Sequence, residues 1–232
     1  MLIAMRQGRV PSAERLAVAS TVSGRLPDEK AYWEFVEHRG RDCGIAVVWN
    51  GNQHNAGFLI RPDPPLRVFH NAVDPARQPD SATWAPQEIF RERWKETTEA
   101  LGAVLSRLAA VTRALYVVGT PPPKPDAFVE SVLKTDAFFS GMISELGFDG
   151  AEQPPITAGS TRLALWWIVQ DMLAEQAAAV DAEFVPAPGA AFDEEGFLRP
   201  ELCVLDATHA NEEYGLLIWE ALAASAVPGA NG

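Results

Sequence analysis

Ala114-Leu115-Tyr116-Val117-Val118-Gly119 is an unbroken apolar run, stopped by Thr120-Pro121-Pro122-Pro123. A strand with one face in water alternates apolar and polar residues. A run that is apolar at every position belongs to a strand covered on both faces, as in a parallel sheet flanked by helices. Proline then ends it, because it has no N–H to give to a ladder. Gly44-Ile45-Ala46-Val47-Val48-Trp49 has the same character and empties into Asn50-Gly51-Asn52-Gln53-His54-Asn55. Ala182-Glu183-Phe184-Val185-Pro186 is a third, shorter candidate, and Leu16-Ala17-Val18-Ala19-Ser20 lies further toward the N-terminus.

Helical patterns fill the intervals. Asp28 is placed to cap a helix carrying Tyr32, Trp33, Phe35 and Val36 and ending at Gly40. Gln87 to about Thr112 carries Ile89, Phe90, Trp94, Leu101, Val104, Leu105 and Leu108 near helical spacing. Asp126 to Leu146 reads as one helix, and Ser160 or Thr161 caps another that runs to about Val180. A last helix spans Glu212 to about Ala226. Strands alternating with helices predict a single α/β domain over residues 1–232 with a mostly parallel central sheet. Between Arg61 and Pro86, six prolines and little periodicity predict a long loop or lid.

Composition narrows the partners. The chain has 232 residues, 47% of them hydrophobic and 22% charged, enough for a large core. A net charge of -12 repels phosphate backbones and anionic membrane surfaces, which argues against nucleic acid as a partner. No stretch approaches a membrane span of ~20 apolar residues, and the N-terminus lacks the apolar region of a signal peptide. Cys43 and Cys203 are the only cysteines; each lies in or beside an apolar run, which predicts two buried free thiols and a reducing, cytoplasmic setting.

The chemistry gathers near the C-terminus, in Cys203-Val204-Leu205-Asp206-Ala207-Thr208-His209-Ala210-Asn211. An Asp and a His three residues apart at a loop-to-helix junction can pair, the acid fixing the imidazole and the imidazole serving as base. A second loaded loop follows the strand at residue 49: Gly51 lets backbone approach a ligand, and Asn52 can donate to a developing oxyanion. A Gly-Asn turn alone is more often structural, since both residues tolerate left-handed backbone.

Strand-then-Gly51-Asn52, strand-then-Gly119-Thr120-Pro121-Pro122-Pro123, and Asp206-x-x-His209-x-Asn211 before a helix with Tyr214-Gly215 together resemble the SGNH (GDSL-like) hydrolase family over roughly residues 44 to 225. The resemblance implies a three-layer α/β/α sandwich with a flavodoxin-like strand order and ester or acyl-transfer chemistry on a small-molecule or glycan ester, for which no cofactor is expected. His54, Asp206 and His209 could ligate zinc or iron by type, but they lack a His-x-His or His-Glu-x-x-His spacing, so no metal is expected. Carried over, His209 is the general base, Asp206 its orienting acid, Asn52 an oxyanion-hole donor, and Gly24 a match to the glycine whose amide also serves that hole. His54, Asn55 and Trp84 are placed to line the substrate loop.

The family's nucleophilic serine stands in a Gly-Asp-Ser block after the first strand, and the sequence contains no such block. Ser20 and Ser23 precede Asn52, but the single helix between them and the Gly51 strand puts them on the second strand of such a sheet. Ser160 follows Gly159 yet opens a helical pattern, where capping is its better role. The expectation is that the first strand and its serine lie upstream of Met1. The alternative is a non-catalytic SGNH-like binding or interaction module in which Leu2 to Met5 replaces that strand. His38 and His70 have no partner pattern and read as surface residues; Asn211 reads as a cap; Asp193-Glu194-Glu195 reads as a solvated loop.

Overall fold

The computed structural model describes residues 29–49, 57–61, 64–133, 135, 137–145 and 156–225. Three parallel strands, β1 (Ile45–Val48), β4 (Leu115–Val118) and β5 (Glu183–Val185), form one sheet in the order β1-β4-β5. Two more, β2 (Leu66–Val68) and β3 (Thr83–Ala85), pair in parallel as a separate small sheet. The helices are α1 (Glu29–Gly40), α2 (Gln87–Ala109), α3 (Asp126–Leu133), α4 (Ala137–Glu145), α5 (Gly159–Ala178) and α6 (Glu212–Ser225). The chain is thus mixed α/β with small, parallel sheets, as the alternation of patterns predicts.

β4 shows why its sequence is apolar throughout. Leu115 and Val117 point into a core built with α2 and α5, through Leu101, Leu105, Leu108, Leu165, Ile168 and Leu173. Val118, and Tyr116 beside it, face the opposite side, where Val185 and Leu198 meet Tyr214, Ile218 and Leu222 of α6. Alternate residues of one strand therefore bury in two different cores. α5 sits deep in the first of these, with Trp166 1% exposed.

β1 departs from its expected two-sided burial. Ile45 and Val47 pack on the α2/α5 side, but Val48 is 58% exposed. The physical reason is coverage: the cluster under α6 takes residues of β4 and β5 and none of β1. The expected strand at Leu16–Ser20 lies outside the described residues.

The Pro-rich segment is an ordered structure. β2 and β3 pair Leu66 with Thr83, Arg67 with Trp84 and Val68 with Ala85. A short 3-10 turn, Pro75–Arg77, starts where the Asp74 carboxylate accepts from the Ala76 N–H at 2.9 Å. Gln78, 3% exposed, behaves as a strand in miniature: its Oε1 accepts from the Val68 N–H at 3.0 Å and its Nε2 donates to the Val68 carbonyl at 2.6 Å. His70, expected at the surface, is 9% exposed, with Nε2 3.1 Å from Asp171 Oδ2 and its ring stacked on Trp167. Burial here follows from contacts with α5, which no local pattern announces.

The expected single helix over residues 126–146 is two helices. Both the N–H and the hydroxyl of Thr135 donate to the Val132 carbonyl, at 3.0 and 2.9 Å, a local closure that competes with helix continuation. The cap of α5 also differs. Ala158 stands at the N-cap without a side-chain bond, and the Gly159 N–H donates to Asp126 Oδ2 of α3 at 3.1 Å. Asp126 also pairs with buried Arg162. A Cβ on Gly159 would lie 2.7 Å from both Asp126 Oδ1 and a Phe197 ring carbon, so glycine is needed for this close approach. Ser160 and Thr161 spend their hydroxyls elsewhere, on the Arg77 carbonyl at 2.8 Å and on Gln78 Oε1 at 3.3 Å, tying the Pro-rich segment to α5.

Candidate functional site

The stretch around Asp206 is a closed loop. After the 3-10 turn Pro200–Leu202, Cys203 bridges Ala210 in antiparallel fashion. The Val204 N–H donates to the His209 carbonyl at 3.1 Å and the Asn211 N–H to the Leu202 carbonyl at 2.8 Å. Asn211 then caps α6: its Oδ1 accepts from the N–H groups of Glu213 at 3.0 Å and Tyr214 at 3.3 Å. The capping role read for Asn211 is thus the observed one. The apolar residues before the acid turn outward, Val204 39% and Leu205 86% exposed. Ala207, by contrast, inserts into a small core of Leu59, Val129, Val132, Leu133 and Phe139.

Asp206 and His209 are brought together as their spacing predicts. His209 Nδ1 lies 2.8 Å from Asp206 Oδ2. A carboxylate oxygen can only accept, so Nδ1 carries a proton, and in the neutral ring Nε2 is then the acceptor. The other oxygen, Oδ1, accepts from the Thr208 N–H at 2.9 Å and the His209 N–H at 2.7 Å. Burial pushes the Asp206 carboxyl up, but the His209 and Thr208 amides, with the Lys124 ammonium and the His209 ring, outweigh it and hold the group below its ordinary range. The acid is half-buried while the imidazole side chain is 61% exposed. The dyad therefore presents an oriented Nε2 to solvent.

Sequence reasoning missed Lys124. It follows the Pro121–Pro123 run at the carboxyl end of β4, and it is 1% exposed. Its Nζ donates to the carbonyls of Val204 at 2.7 Å and Asp206 at 2.6 Å and lies 3.2 Å from Asp206 Oδ1, with the Phe128 ring 4.9 Å away. A lysine is almost never fully buried without a partner, and nothing in Pro123-Lys124-Pro125 announces one. The contact also locates the dyad. A residue just beyond β4 touches Asp206, so the pair lies at the carboxyl edge of the sheet, where ligands of open α/β sheets bind.

The remaining expected site residues fall in two groups. Asn52, Gly51, His54, Asn55 and Gly24 lie outside the described residues, as do Ser20 and Ser23. Trp84 is described: it is 45% exposed on β3, with the Arg67 guanidinium 4.5 Å from its ring. No hydrogen bond or ring contact among the described residues joins Trp84 to the dyad. Burial pushes the Cys203 thiol up to about 11, which disfavours the thiolate form that a cysteine nucleophile needs. Both cysteines are free, but neither is fully buried as expected: Cys43 is exposed in the turn before β1 and Cys203 is partly buried. Among the described residues, no three His, Cys, Asp or Glu side chains cluster as metal ligands, and no helix is long and apolar enough to cross a membrane. Neither the protein families nor the curated proteins contain a match to this chain.

Proposed function

We propose that the Asp206–His209 dyad serves ester or O-acyl hydrolysis of the SGNH type, with His209 as general base, Asp206 as its orienting acid, and a serine nucleophile that no Gly-Asp-Ser block of this sequence supplies. The observation that carries the reading is the Nδ1–Oδ2 bond of 2.8 Å, which leaves Nε2 as an exposed acceptor. The parallel β1-β4-β5 order, with helices against both faces of β4, is in keeping with the α/β/α sandwich of that family. Val204 and Leu205 add apolar surface beside the dyad, suited to the acyl part of a small-molecule or glycan ester.

The steps follow from the dyad. Nε2 takes the proton of an attacking serine hydroxyl as its oxygen bonds to the ester carbonyl carbon, and the resulting imidazolium is stabilised by Asp206. The tetrahedral intermediate collapses as Nε2–H returns that proton to the leaving alkoxide. Water, activated by the same nitrogen, then releases the acid. Asn52 is the proposed oxyanion donor, and removal of such a donor typically costs about 2.7–4 kcal/mol in the barrier.

The test is hydrolysis of a short-chain nitrophenyl ester by the full-length protein expressed from its natural start, together with labelling by a fluorophosphonate that traps nucleophilic serines. Activity that disappears in His209→Ala, with a labelled serine mapped by peptide analysis, supports the reading. A folded full-length protein that neither turns over the ester nor takes the label defeats it. The second reading is a non-catalytic SGNH-like binding module, favoured by one fact: among the described residues no hydroxyl is hydrogen-bonded to His209 Nε2. It expects saturable binding of an acylated sugar by calorimetry without turnover.

A further inference from the structure

We infer that Lys124 is a positioning residue for the Asp206–His209 dyad: its buried ammonium fixes the carboxylate so that one oxygen is left for the imidazole. The inference rests on the hydrolase reading of that dyad and assigns part of its machinery to a different segment of the chain.

An ammonium has three N–H donors, and among the described residues Lys124 reaches the Val204 carbonyl at 2.7 Å, the Asp206 carbonyl at 2.6 Å and Asp206 Oδ1 at 3.2 Å. Two of these fix the backbone on either side of exposed Leu205, and the third fixes the side chain that orients the base. With the Thr208 and His209 amides, Lys124 fills Oδ1 with donors. The free lone pairs of Oδ2 are then aimed at Nδ1. The lysine is itself held in place, since its carbonyl accepts from Arg162 Nη1 at 3.0 Å, and Arg162 is anchored to Asp126. The Leu198 N–H donates to the Pro123 carbonyl at 2.9 Å, which ties the proline run to the segment leading into the site.

A purely structural lysine would hold the loop with its two carbonyl bonds alone. The bond to Oδ1 adds a consequence for the base. An unpaired imidazole favours the Nε2–H tautomer, in which the outward nitrogen cannot accept a proton; only a correctly aimed carboxylate reverses this. Loss of the ammonium frees Asp206 to rotate, and misplacement of a catalytic group by ~1 Å can cost on the order of 10²-fold in rate.

The experiment compares the full-length protein with Lys124→Met, which keeps the length of the stem and removes the charge. The primary readout is the ¹⁵N signature of the neutral His209 ring, which does not depend on turnover. The wild type is expected to show Nδ1–H, and the folded variant to show a shift toward Nε2–H. In ester hydrolysis, kcat is expected to fall on the order of 10²-fold with KM little changed. If Lys124→Met does not fold, Lys124→Met/Asp206→Asn removes the stranded charge as well. Its Thr208 and His209 amides are then expected to exchange hydrogen faster than those of Asp206→Asn alone. An unchanged Nδ1–H signature in the single variant, or equal exchange in the double and its Asp206→Asn parent, overturns the inference. An altered tautomer in a wild-type background without esterase activity would uphold the role of Lys124 and count against the hydrolase reading instead.

Discussion

Replacing Asp206 with Asn tests the dyad more sharply than removing it, because the structure fixes which way the amide must face. Oδ1 is met by three donors, the amides of Thr208 and His209 and the Lys124 ammonium. An Asn amide group turned toward them would set donors against donors, so its oxygen takes that place and its NH₂ faces His209 Nδ1. Nδ1 must then accept, the proton moves to Nε2, and the outward nitrogen ceases to be a base. Serine-protease chemistry, where the same exchange costs about 10⁴ in kcat, sets the scale. Stability also falls, because the two backbone bonds to Oδ1 become neutral ones and the Lys124 ion pair becomes an ammonium–amide contact; a loss of about 1–3 kcal/mol is expected. The assay is kcat for a short-chain ester alongside urea denaturation. A folded Asp206→Asn protein with kcat within about threefold of wild type, or with His209 still protonated at Nδ1, would refute the assignment.

Two further outcomes concern stability. Gln78→Leu strands the buried N–H and C=O of Val68 and removes the acceptor of the Thr161 hydroxyl, so a loss of roughly 2–5 kcal/mol is expected in urea denaturation; a loss under about 1 kcal/mol would mean that this side chain does not hold the Pro-rich segment. Asp206 has a folded-state pKa below its unfolded one, so its contribution is complete above the unfolded value of about 3.9 and is lost as pH falls through the folded value. The difference in melting temperature between wild type and Asp206→Asn is therefore expected to stay constant from neutral pH to about 5 and to shrink only near and below pH 4. A gap that closes above pH 5 would contradict a carboxylate held down by its donors.

How legible these features were depended on how local their causes are. The strands at 115–118 and 183–185, the helices that alternate with them, and the Asp206–His209 pair all arise from residues close in sequence: apolar runs, helical spacing and a three-residue offset. The errors arose where a distant segment decides the outcome. His70 is buried because α5 brings Trp167 and Asp171 to it. The cap of α5 is Asp126, some thirty residues earlier in the chain, and not the neighbouring Ser160 or Thr161. Gln78 orders the Pro-rich segment by imitating a strand, a role that no propensity attaches to a single glutamine. Val48 is exposed, and β1 adds no described residue to the cluster under α6, although its local pattern resembles that of β4, which is buried on both faces.

Lys124 combines both cases, and it explains how the site can be exposed yet fixed. A loop carrying an imidazole that is 61% exposed would ordinarily pay a large conformational entropy for holding one geometry. Here the ordering is supplied from below the surface: Ala207 packs into the core under α3 and α4, and the ammonium engages the carbonyls flanking Leu205. Neither anchor touches the imidazole, and among the described residues nothing is hydrogen-bonded to its Nε2. The charge is tolerated in the interior because every donor has an acceptor, whereas a lysine there with a missing partner would be strongly destabilising. The same accounting makes the interaction directional. Moving Asp206 away costs the lysine two of its acceptors, and removing the lysine leaves the carboxylate without its one cationic donor among the described residues, so the segment after β4 and the segment before α6 hold each other in register.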